Sequence, residues 1–240
     1  MTLTKANLAG KLALVTGATG SIGSALCKRL AQEKVNLVLM SKTEEKLAHL
    51  SRELDGFDVD VSAISCDMSV AEELNECLDT QIGKLRPDIL VNAAGVFPNK
   101  DIQSTSIEEY ESVIRVNLTA AFLLCRDITP KMCESKWGRV VNLGSSSSYG
   151  GFKNTTAYCI SKHGLLGLSR SLHSEVKHNG VRVYHISPSS TKGNMGLATV
   201  GQDYSTFIEP SEIADCIMFA IQQDGNAMLE ELFVKRMEVR

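Results

Sequence analysis

The chain has 240 residues, 43% of them hydrophobic and 22% charged, and its formal net charge is −3. This near-average composition argues against a disordered, collagen-like or coiled-coil protein, and the slightly acidic balance provides no basic footprint for nucleic acid. The length suits one full-sized α/β domain, since such domains run to roughly 250 residues.

Short apolar runs alternate with longer stretches of helical period, which is typical of βαβ units and a parallel sheet. The predicted strands cover residues 12–16, 35–40, 59–65, 89–92, 139–143, 181–186 and 232–234. The predicted helices cover residues 21–32, 44–54, 70–83, 107–135, 157–178 and 210–222. Right-handed crossovers then give an α/β fold, in which helices cover both faces of a doubly wound, mostly parallel seven-stranded sheet. We expect a single domain over residues 1–240.

The first predicted strand runs into a glycine-rich turn, Thr16-Gly17-Ala18-Thr19-Gly20-Ser21-Ile22-Gly23. Glycines between a strand and a helix let the backbone approach a pyrophosphate, which the amides and dipole of the helix then hold. The same glycines could simply let the helix pack closely on its strand. Their position at the first strand–helix turn favours a dinucleotide site.

The residues after the second and third strands are expected to contact the adenosine part of such a cofactor. An acidic residue after the second strand binds a ribose 2′-hydroxyl, whereas a basic one accommodates a 2′-phosphate. Ser41 and Lys42 occupy this place, so NADP is favoured over NAD unless Lys42 is only a solvated loop lysine. Asp67 closes the third strand, where it could equally cap the next helix.

Tyr158 and Lys162 form a Y-x-x-x-K motif on a predicted helix, which puts the phenol and the ammonium on one face. A phenol, whose ordinary pKa is ~10, is a poor base near neutral pH, and a nearby cation is expected to lower that pKa. A tyrosine so placed can pass a proton to or from an alcohol oxygen. The pair is common at this spacing, so its weight comes from the motifs that accompany it.

Together these motifs resemble the short-chain dehydrogenase/reductase family, over roughly residues 11–221. The family's short, Rossmann-type members carry T-G-x-x-x-G-x-G, which Thr16, Gly17 and Gly23 match. Gly20 also gives the G-x-x-G-x-x-G spacing of longer, extended members that often act on nucleotide sugars. The chain is too short for the additional substrate domain of those members, so the short type is favoured.

The resemblance implies a set of functional residues. Ser145 lies 13 residues before Tyr158, which is the family's spacing and selects it over Ser146, Ser147 and Ser148. The implied catalytic residues are Asn117, Ser145, Tyr158 and Lys162. The implied cofactor-binding residues, with the aspartate placed against the adenine, are Gly17, Thr19, Ser21, Ile22, Gly23, Ser41, Lys42, Asp67, Met68, Asn92, Ala93, Gly95, Tyr158, Lys162, Pro188, Ser189 and Thr191.

Some positions depart from the family pattern. Ser21 replaces the middle glycine of the loop, and Ser189 replaces the glycine after Pro188. Gly193 stands where a threonine often binds the nicotinamide amide, while Thr191 lies out of register with that position. The chain also ends in Leu-Phe-Val-Lys-Arg at 232–236 where V-D-G-G is frequent.

Targeting and metal signals are not found in the sequence. No apolar run approaches the ~20 residues of a membrane helix, and the N-terminus has no signal-peptide hydrophobic region. The seven cysteines are scattered without a C-x-x-C pair, which favours a reducing compartment over a disulfide framework, and nothing has the spacing of a metal site. We therefore expect a cytoplasmic protein with no metal, membrane or nucleic-acid partner.

The resemblance implies an NADP-dependent oxidoreductase that interconverts a carbonyl and an alcohol. A catalytically impaired dinucleotide sensor is the alternative, and an extended-type epimerase or dehydratase is a further one. Residues 189–209 are expected to cover an apolar substrate pocket, with Met195, Leu197, Val200, Tyr204 and Phe207, and the substrate class stays open between ketones, aldehydes, hydroxysteroid-like compounds and 3-oxoacyl groups. Family members commonly form homodimers or homotetramers, for which Phe122, Leu123 and Leu124 could serve either an interface or the core.

Overall fold

The computed structural model describes residues 4–198 and 201–238, and it contains one seven-stranded sheet. The strand order is β3-β2-β1-β4-β5-β6-β7, and every adjacent pair is parallel. The strands are β1 (Leu12–Thr16), β2 (Asn36–Ser41), β3 (Val61–Ser65), β4 (Ile89–Asn92), β5 (Gly138–Leu143), β6 (Val181–Pro188) and β7 (Glu231–Val234). The expected fold class is confirmed, and the sheet is entirely parallel.

Eight α-helices connect or flank the strands in the described part of the chain. They are α1 (Ser21–Gln32), α2 (Glu44–Leu54), α3 (Ala71–Thr80), α4 (Ile107–Ile114), α5 (Ala120–Glu134), α6 (Thr156–Val176), α7 (Asn194–Leu197) and α8 (Pro210–Ile221). The helix predicted over 107–135 is divided, because one π-helical turn, Arg115–Thr119, separates α4 from α5. The four-residue α7 lies within the segment predicted as a loop.

The helices cover the two faces of the sheet in separate hydrophobic layers. On one face, Leu26 of α1 and Ile217 of α8 pack in the same cluster as Val15 of β1. On the other face, Leu124 of α5 packs in a second cluster with Leu14 of β1 and with residues of α3 and α6. Each such side chain contributes about 1.5–3 kcal/mol by leaving water. The central strands β1 and β4 are apolar up to their last residue, as strands covered on both faces should be.

The order of the strands creates a crevice at the carboxyl edge of the sheet. From β1 the chain moves outward through β2 and β3, then returns to β4 on the other side of β1. Crossovers that diverge from two adjacent strands leave a crevice between their carboxyl ends, where open α/β sheets bind ligands. Thr16 and Asn92 are paired at the ends of β1 and β4, so the turns that follow them lie side by side there.

Several predicted boundaries shift by a few residues. The third strand begins at Val61 rather than at residue 59, after Asp58 takes a left-handed conformation with φ of 55°. The sixth strand continues to Pro188, since β7 pairs along it as far as Val234. The third helix ends at Thr80, ahead of a separate 3-10 turn. Among the helices of residues 4–198 and 201–238, none has the length and apolar character needed to cross a membrane.

Candidate active site

The glycine-rich turn lies at this crevice, in close contact with the turn after β4. Gly17 has φ of +62°, and a Cβ there would fall 2.7 Å from the backbone nitrogen of Ala94. A Cβ on Gly23 would fall 2.2 Å from the Gly17 carbonyl oxygen, so this helix residue must be glycine as well. The close approach of these backbone segments is therefore possible only with glycine at positions 17 and 23.

The first turn of α1 is suited to an anion. Its N-cap is Gly20, which has no side chain to bond the first amides, and no acidic residue lies in the first turn. The backbone N–H groups of the first turn, including those of Ser21 and Ile22, have no partner within the helix. Free amides and the positive end of the helix dipole form the arrangement that binds a pyrophosphate. The glycine cradle and this uncapped helix end both fit a dinucleotide.

Two departures from the family pattern meet in space. Gly193 has φ of +137°, and a Cβ there would lie 2.1 Å from the Ser21 hydroxyl oxygen. Gly193 therefore provides the space that the Ser21 side chain takes up. A threonine at position 193 would collide with a serine at position 21, so the two exchanges compensate each other.

Four side chains form a polar cluster at the ends of β2 and β3. The hydroxyls of Thr19 and Ser41 are hydrogen-bonded at 2.6 Å, and Lys42 Nζ donates to Asp67 Oδ2 at 3.2 Å. Asp67 also accepts from the amide and hydroxyl of Ser69, which lowers the pKa of its carboxyl, and Lys42 lowers it further. Met68, the next residue along the chain, is buried in the core.

Polar side chains fasten the end of β4 to its neighbours. Thr16 Oγ1 accepts from the amides of Ala93 and Ala94, both at 3.1 Å. Asn92 Nδ2 donates to Asn142 Oδ1 of β5 at 2.8 Å, so Asn92 links two adjacent strands. These bonds fix the backbone against which a cofactor would lie.

Asn117 lies inside the π-helical turn and is 2% exposed. Its Oδ1 accepts from the Val96 amide at 2.8 Å, and its Nδ2 donates to the Val96 carbonyl at 3.0 Å and to Ser161 Oγ at 3.0 Å. A Cβ on Gly95 would lie 3.4 Å from Asn117 Oδ1 and 3.9 Å from Lys162 Nζ. Asn117 of the π turn thus links the segment that follows β4 to α6, next to Lys162.

Tyr158 and Ser145 lie together at the carboxyl end of β5. The Ser145 hydroxyl accepts from the Ser147 amide at 3.1 Å, and it lies close enough to Tyr158 to oppose the rise in the pKa of the phenol. The Tyr158 ring is 8% exposed and meets the edge of Phe97 at a centroid distance of 4.8 Å. The two hydroxyls therefore point to one place on the apolar side of the crevice.

Burial controls the charges of the Y-x-x-x-K pair. Lys162 Nζ donates to the Leu143 carbonyl at 2.7 Å and lies 5.6 Å from the centre of the Tyr158 ring. Desolvation lowers the pKa of Lys162 to about 8 and raises the pKa of Tyr158 to about 12, although the hydrogen bond from Ser145 opposes the second shift. The sequence led us to expect a lowering of the Tyr158 pKa by a nearby cation, whereas in this structure burial raises it.

The four consecutive serines have different environments. Ser147 and Ser148 are buried, and Ser148 Oγ is bound by His185 at 3.0 Å. Ser145 is the member of the run whose hydroxyl contacts Tyr158. The choice of Ser145 from the spacing stays a prediction.

The segment after β6 contacts both the glycine-rich turn, through Gly193, and the site around Gly95, through Met195. Met195 Cε would lie 3.7 Å from a Cβ on Gly95, close to Asn117 and Lys162. Ser189 Oγ accepts from the Arg236 amide at 3.0 Å, so the serine in place of glycine after Pro188 holds the C-terminal segment. The Thr191 hydroxyl donates to the Ser189 carbonyl at 2.9 Å, which uses it within the loop.

The apolar residues predicted to cover the pocket divide into two groups. Met195 and Leu197 are exposed, whereas Phe207 is buried and packs against Tyr204 at 5.2 Å between ring centroids. Tyr204 Oη accepts from the Gly193 amide at 2.9 Å, which holds this loop beside Ser21. Val200 lies outside the described residues.

Several site residues had not been predicted. Phe97, Ser161 and the Leu143 carbonyl contact the proposed catalytic side chains, and Ser148 and His185 lie behind Ser145. The three-residue spacing of Ser161 from Tyr158 on a helix was the one available signal for it. Contacts between separate strands and loops have no comparable spacing in the sequence.

Comparisons with known proteins give a consistent picture. A family model described as short chain dehydrogenase matches residues 11–202. A 3-oxoacyl-(acyl-carrier-protein) reductase of Rickettsia bellii is 35% identical over 190 residues, which cover 79% of this chain and 76% of the relative. A D-threitol dehydrogenase of Mycolicibacterium smegmatis is 32% identical over 237 residues, covering 92% of this chain and 89% of the relative.

A similar solved structure is a metagenomic short-chain oxidoreductase in complex with NADP. It has a TM-score of 0.81 and 29% identity, and the match covers 97% of this chain and 100% of that one. The family model spans most of the chain, including the glycine turn and the Y-x-x-x-K helix. The chain belongs to the short-chain dehydrogenase/reductase family of oxidoreductases.

Proposed function

We propose that this protein is an NADP-dependent oxidoreductase that interconverts a carbonyl and an alcohol, with residues 1–240 acting as one domain. The observation that carries the proposal is the convergence of Ser145, Tyr158, Lys162 and Asn117 beside the glycine cradle. The proximity of the Ser145 side chain to Tyr158, together with the buried lysine near the phenol ring, supports proton transfer at this place.

The bound nicotinamide would supply the hydride chemistry, and the protein supplies binding and orientation. The α1 amides, with Gly17, Gly23, Ser21 and Ile22, would hold the pyrophosphate. The other members of the proposed cofactor set are Thr19, Ser41, Lys42, Asp67, Met68, Asn92, Ala93, Gly95, Tyr158, Lys162, Pro188, Ser189 and Thr191. Thr191 and Met68 have the weakest support, since the threonine hydroxyl bonds within its loop and the methionine is buried.

In the reductive direction, Tyr158 would donate a proton to the substrate oxygen. The raised pKa of the phenol, caused by burial, keeps that proton in place near neutral pH. The Ser145 hydroxyl would hold the same oxygen where negative charge develops. Lys162, anchored by the Leu143 carbonyl, would contact the ribose and favour the phenolate, while Asn117 fixes the backbone beside it.

The proposed substrate is a carbonyl compound with an apolar flank. Phe97 packs against the Tyr158 ring and Met195 lies near Gly95, so both can contact a hydrocarbon group next to the reacting carbon. Lys192 forms an ion pair with Glu209, which would compete with a substrate carboxylate for the ammonium group. The similar proteins named for a 3-oxoacyl thioester and for a polyol agree with a carbonyl–alcohol reaction.

Replacing Tyr158 by Phe tests this proposal. Turnover should fall at least about 100-fold, because the proton donor is lost, while NADPH binding measured by fluorescence should change little. Tyr149→Phe is the matched control, because that tyrosine lies in the same region but donates its hydroxyl to Glu231. Substantial residual turnover by Tyr158→Phe would contradict the assigned role.

We also propose a cytoplasmic homodimer or homotetramer. The seven cysteines, all within the described residues, are free thiols, which suits a reducing compartment. Leu124 is fully buried, whereas Phe122 on α5 is 50% exposed and Ile160 on α6 is 46% exposed. The structure therefore assigns Leu124 to the core and leaves Phe122 available for an interface through these helices.

A further inference from the structure

His185 lies at the centre of β6 and has no part in the proposed proton transfer. Its side chain is 0% exposed, and its backbone is paired with Asn142 of β5. Desolvation and, to a lesser extent, the positive charge of Lys162 lower the pKa of the imidazole to about 4, so the ring is neutral at neutral pH. A buried polar ring of this kind costs free energy unless both nitrogens are hydrogen-bonded.

The neighbours of Nδ1 determine which nitrogen carries the proton. Ser169 Oγ donates to the Leu165 carbonyl at 2.7 Å and accepts from Asn142 Nδ2 at 2.9 Å. The single hydrogen of the Ser169 hydroxyl is used in the bond to Leu165. Ser169 Oγ, 3.1 Å from His185 Nδ1, can therefore only accept a hydrogen bond from the Nδ1–H group. A neutral imidazole protonated at Nδ1 has an unprotonated Nε2, which is an acceptor.

The acceptor nitrogen then fixes the direction of the next bonds. Ser148 Oγ, 3.0 Å from His185 Nε2, must donate its hydrogen to the ring. Its lone pairs remain free to accept the Ser145 amide at 3.2 Å. The Ser145 hydroxyl, which accepts from Ser147, is left to donate toward Tyr158. One directed chain of hydrogen bonds thus runs from α6 through the imidazole to the serine turn.

The imidazole is also packed directly beneath this turn. A Cβ on Gly144 would fall 2.3 Å from His185 Nε2 and 2.5 Å from Ser187 Oγ. Gly144 immediately precedes Ser145, so the ring supports the backbone on which the hydroxyl is carried. Glycine at position 144 is therefore required by the histidine.

We propose that His185 is a positioning residue for Ser145: its Nε2 holds Ser148 Oγ, and Ser148 in turn fixes the amide and orientation of Ser145 against Tyr158. This inference rests on the proposed function for its effect on turnover. The position of Ser145 itself can be measured without a substrate.

Two substitutions separate the two ring nitrogens. His185→Gln places a side-chain acceptor near the position of Nε2 and can still bind Ser148, whereas His185→Asn reaches only the position of Nδ1 near Ser169. With a carbonyl substrate, we expect His185→Gln to keep kcat within about threefold of wild type. We expect His185→Asn and Ser148→Ala to lower kcat about tenfold or more with the KM for NADPH unchanged, as a displaced catalytic group would.

Amide hydrogen exchange measured by NMR provides the readout that needs no turnover. Protection of the Ser145 amide should be retained in His185→Gln and lost in His185→Asn and Ser148→Ala. Nitrogen-15 shifts of wild-type His185 at pH 7 should report the neutral tautomer protonated at Nδ1. Equal Ser145 protection in the Gln and Asn variants, or a ring protonated at Nε2, would overturn the proposal.

The same data distinguish the two hypotheses. A wild-type protein that reduces no carbonyl compound would contradict the proposed function, while the exchange and tautomer results would still decide whether His185 positions Ser145. Equal kcat in the Gln and Asn variants of an active enzyme would overturn the positioning role and leave the proposed function intact.

Discussion

Tyr158 and Lys162 occupy one buried site, yet burial moves their pKa values in opposite directions. Desolvation opposes the charged form of each group. The phenol of Tyr158 therefore keeps its proton to a higher pH, and the ammonium of Lys162 loses its proton at a lower pH. A protonated Tyr158 is the form required to donate to a substrate oxygen. In the reverse reaction, a cationic Lys162 would lower the free energy of the phenolate that must accept the proton.

At the residue scale, the proposed preference for NADP rests on Lys42. It is an exposed lysine beside Ser41 and is paired with Asp67, and a 2′-phosphate would provide a stronger partner than that carboxylate. Lys42→Ala should raise the KM for NADPH about tenfold and leave the KM for NADH nearly unchanged. Steady-state kinetics with both cofactors measures this, and Lys46→Ala, an exposed lysine on α2, is the control.

Equal loss with both cofactors in Lys42→Ala would contradict a 2′-phosphate contact. Loss with NADH alone would point to a role at the adenine or ribose. In either case the preference inferred from the residues after β2 would be wrong.

At the element scale, the sequence predicts one helix over 107–135, and the structure divides it at the π turn. The apolar residues keep a helical period through both α4 and α5. The one extra residue that the π turn adds to the helical hydrogen-bond pattern is therefore not visible in the sequence. Asn117 was identified by the family resemblance, but its pairing with both polar groups of Val96 depends on the turn after β4. That contact between distant segments could not be predicted from spacing.

Asn117→Ala should disturb both stability and turnover. The change leaves the Val96 amide and carbonyl without their partner, at a cost of about 1–3 kcal/mol in the free energy of unfolding. We expect kcat to fall at least about tenfold, since the backbone beside Lys162 is released. Urea denaturation and steady-state kinetics measure the two effects.

Asn99→Ala is the matched control for this substitution, because Asn99 is an exposed asparagine in the same connection. Wild-type stability and turnover in Asn117→Ala would show that the π turn needs no side-chain support.

At the scale of the whole molecule, the fold was predictable because its signals are local. Alternating strands and helices, with the glycine turn after β1, specify a doubly wound parallel sheet. The arrangement of residues 189–198 and 201–209 was not predictable, since it depends on Gly193 leaving space for the Ser21 side chain and on Arg236 bonding Ser189 from the far end of the chain. The sequence alone does not show that Ser21 and Gly193 are neighbours, because they lie in separate loops.

The quaternary prediction also belongs to this scale. Phe122→Glu places a charge on the exposed apolar face of α5, and burying it in an interface would cost several kcal/mol. Light scattering should show an oligomer for wild type and a monomer for Phe122→Glu. Phe219→Glu, a similarly exposed phenylalanine on α8, is the control and should remain oligomeric.

A wild-type monomer at assay concentration would contradict the proposed assembly. An oligomer that persists in Phe122→Glu would place the interface elsewhere on the molecule.

Isotope transfer from the cofactor tests the central claim most directly. With NADPH deuterated at the transferable position of C4, a panel of ketones, aldehydes and 3-oxoacyl compounds should yield an alcohol carrying one deuterium on the former carbonyl carbon. One NADP⁺ should form per molecule of product, and Tyr158→Phe should form almost none. Binding of NADPH without transfer to any compound would indicate a sensor, and product formation without net consumption of NADPH would indicate redox-neutral chemistry; either result would contradict the account.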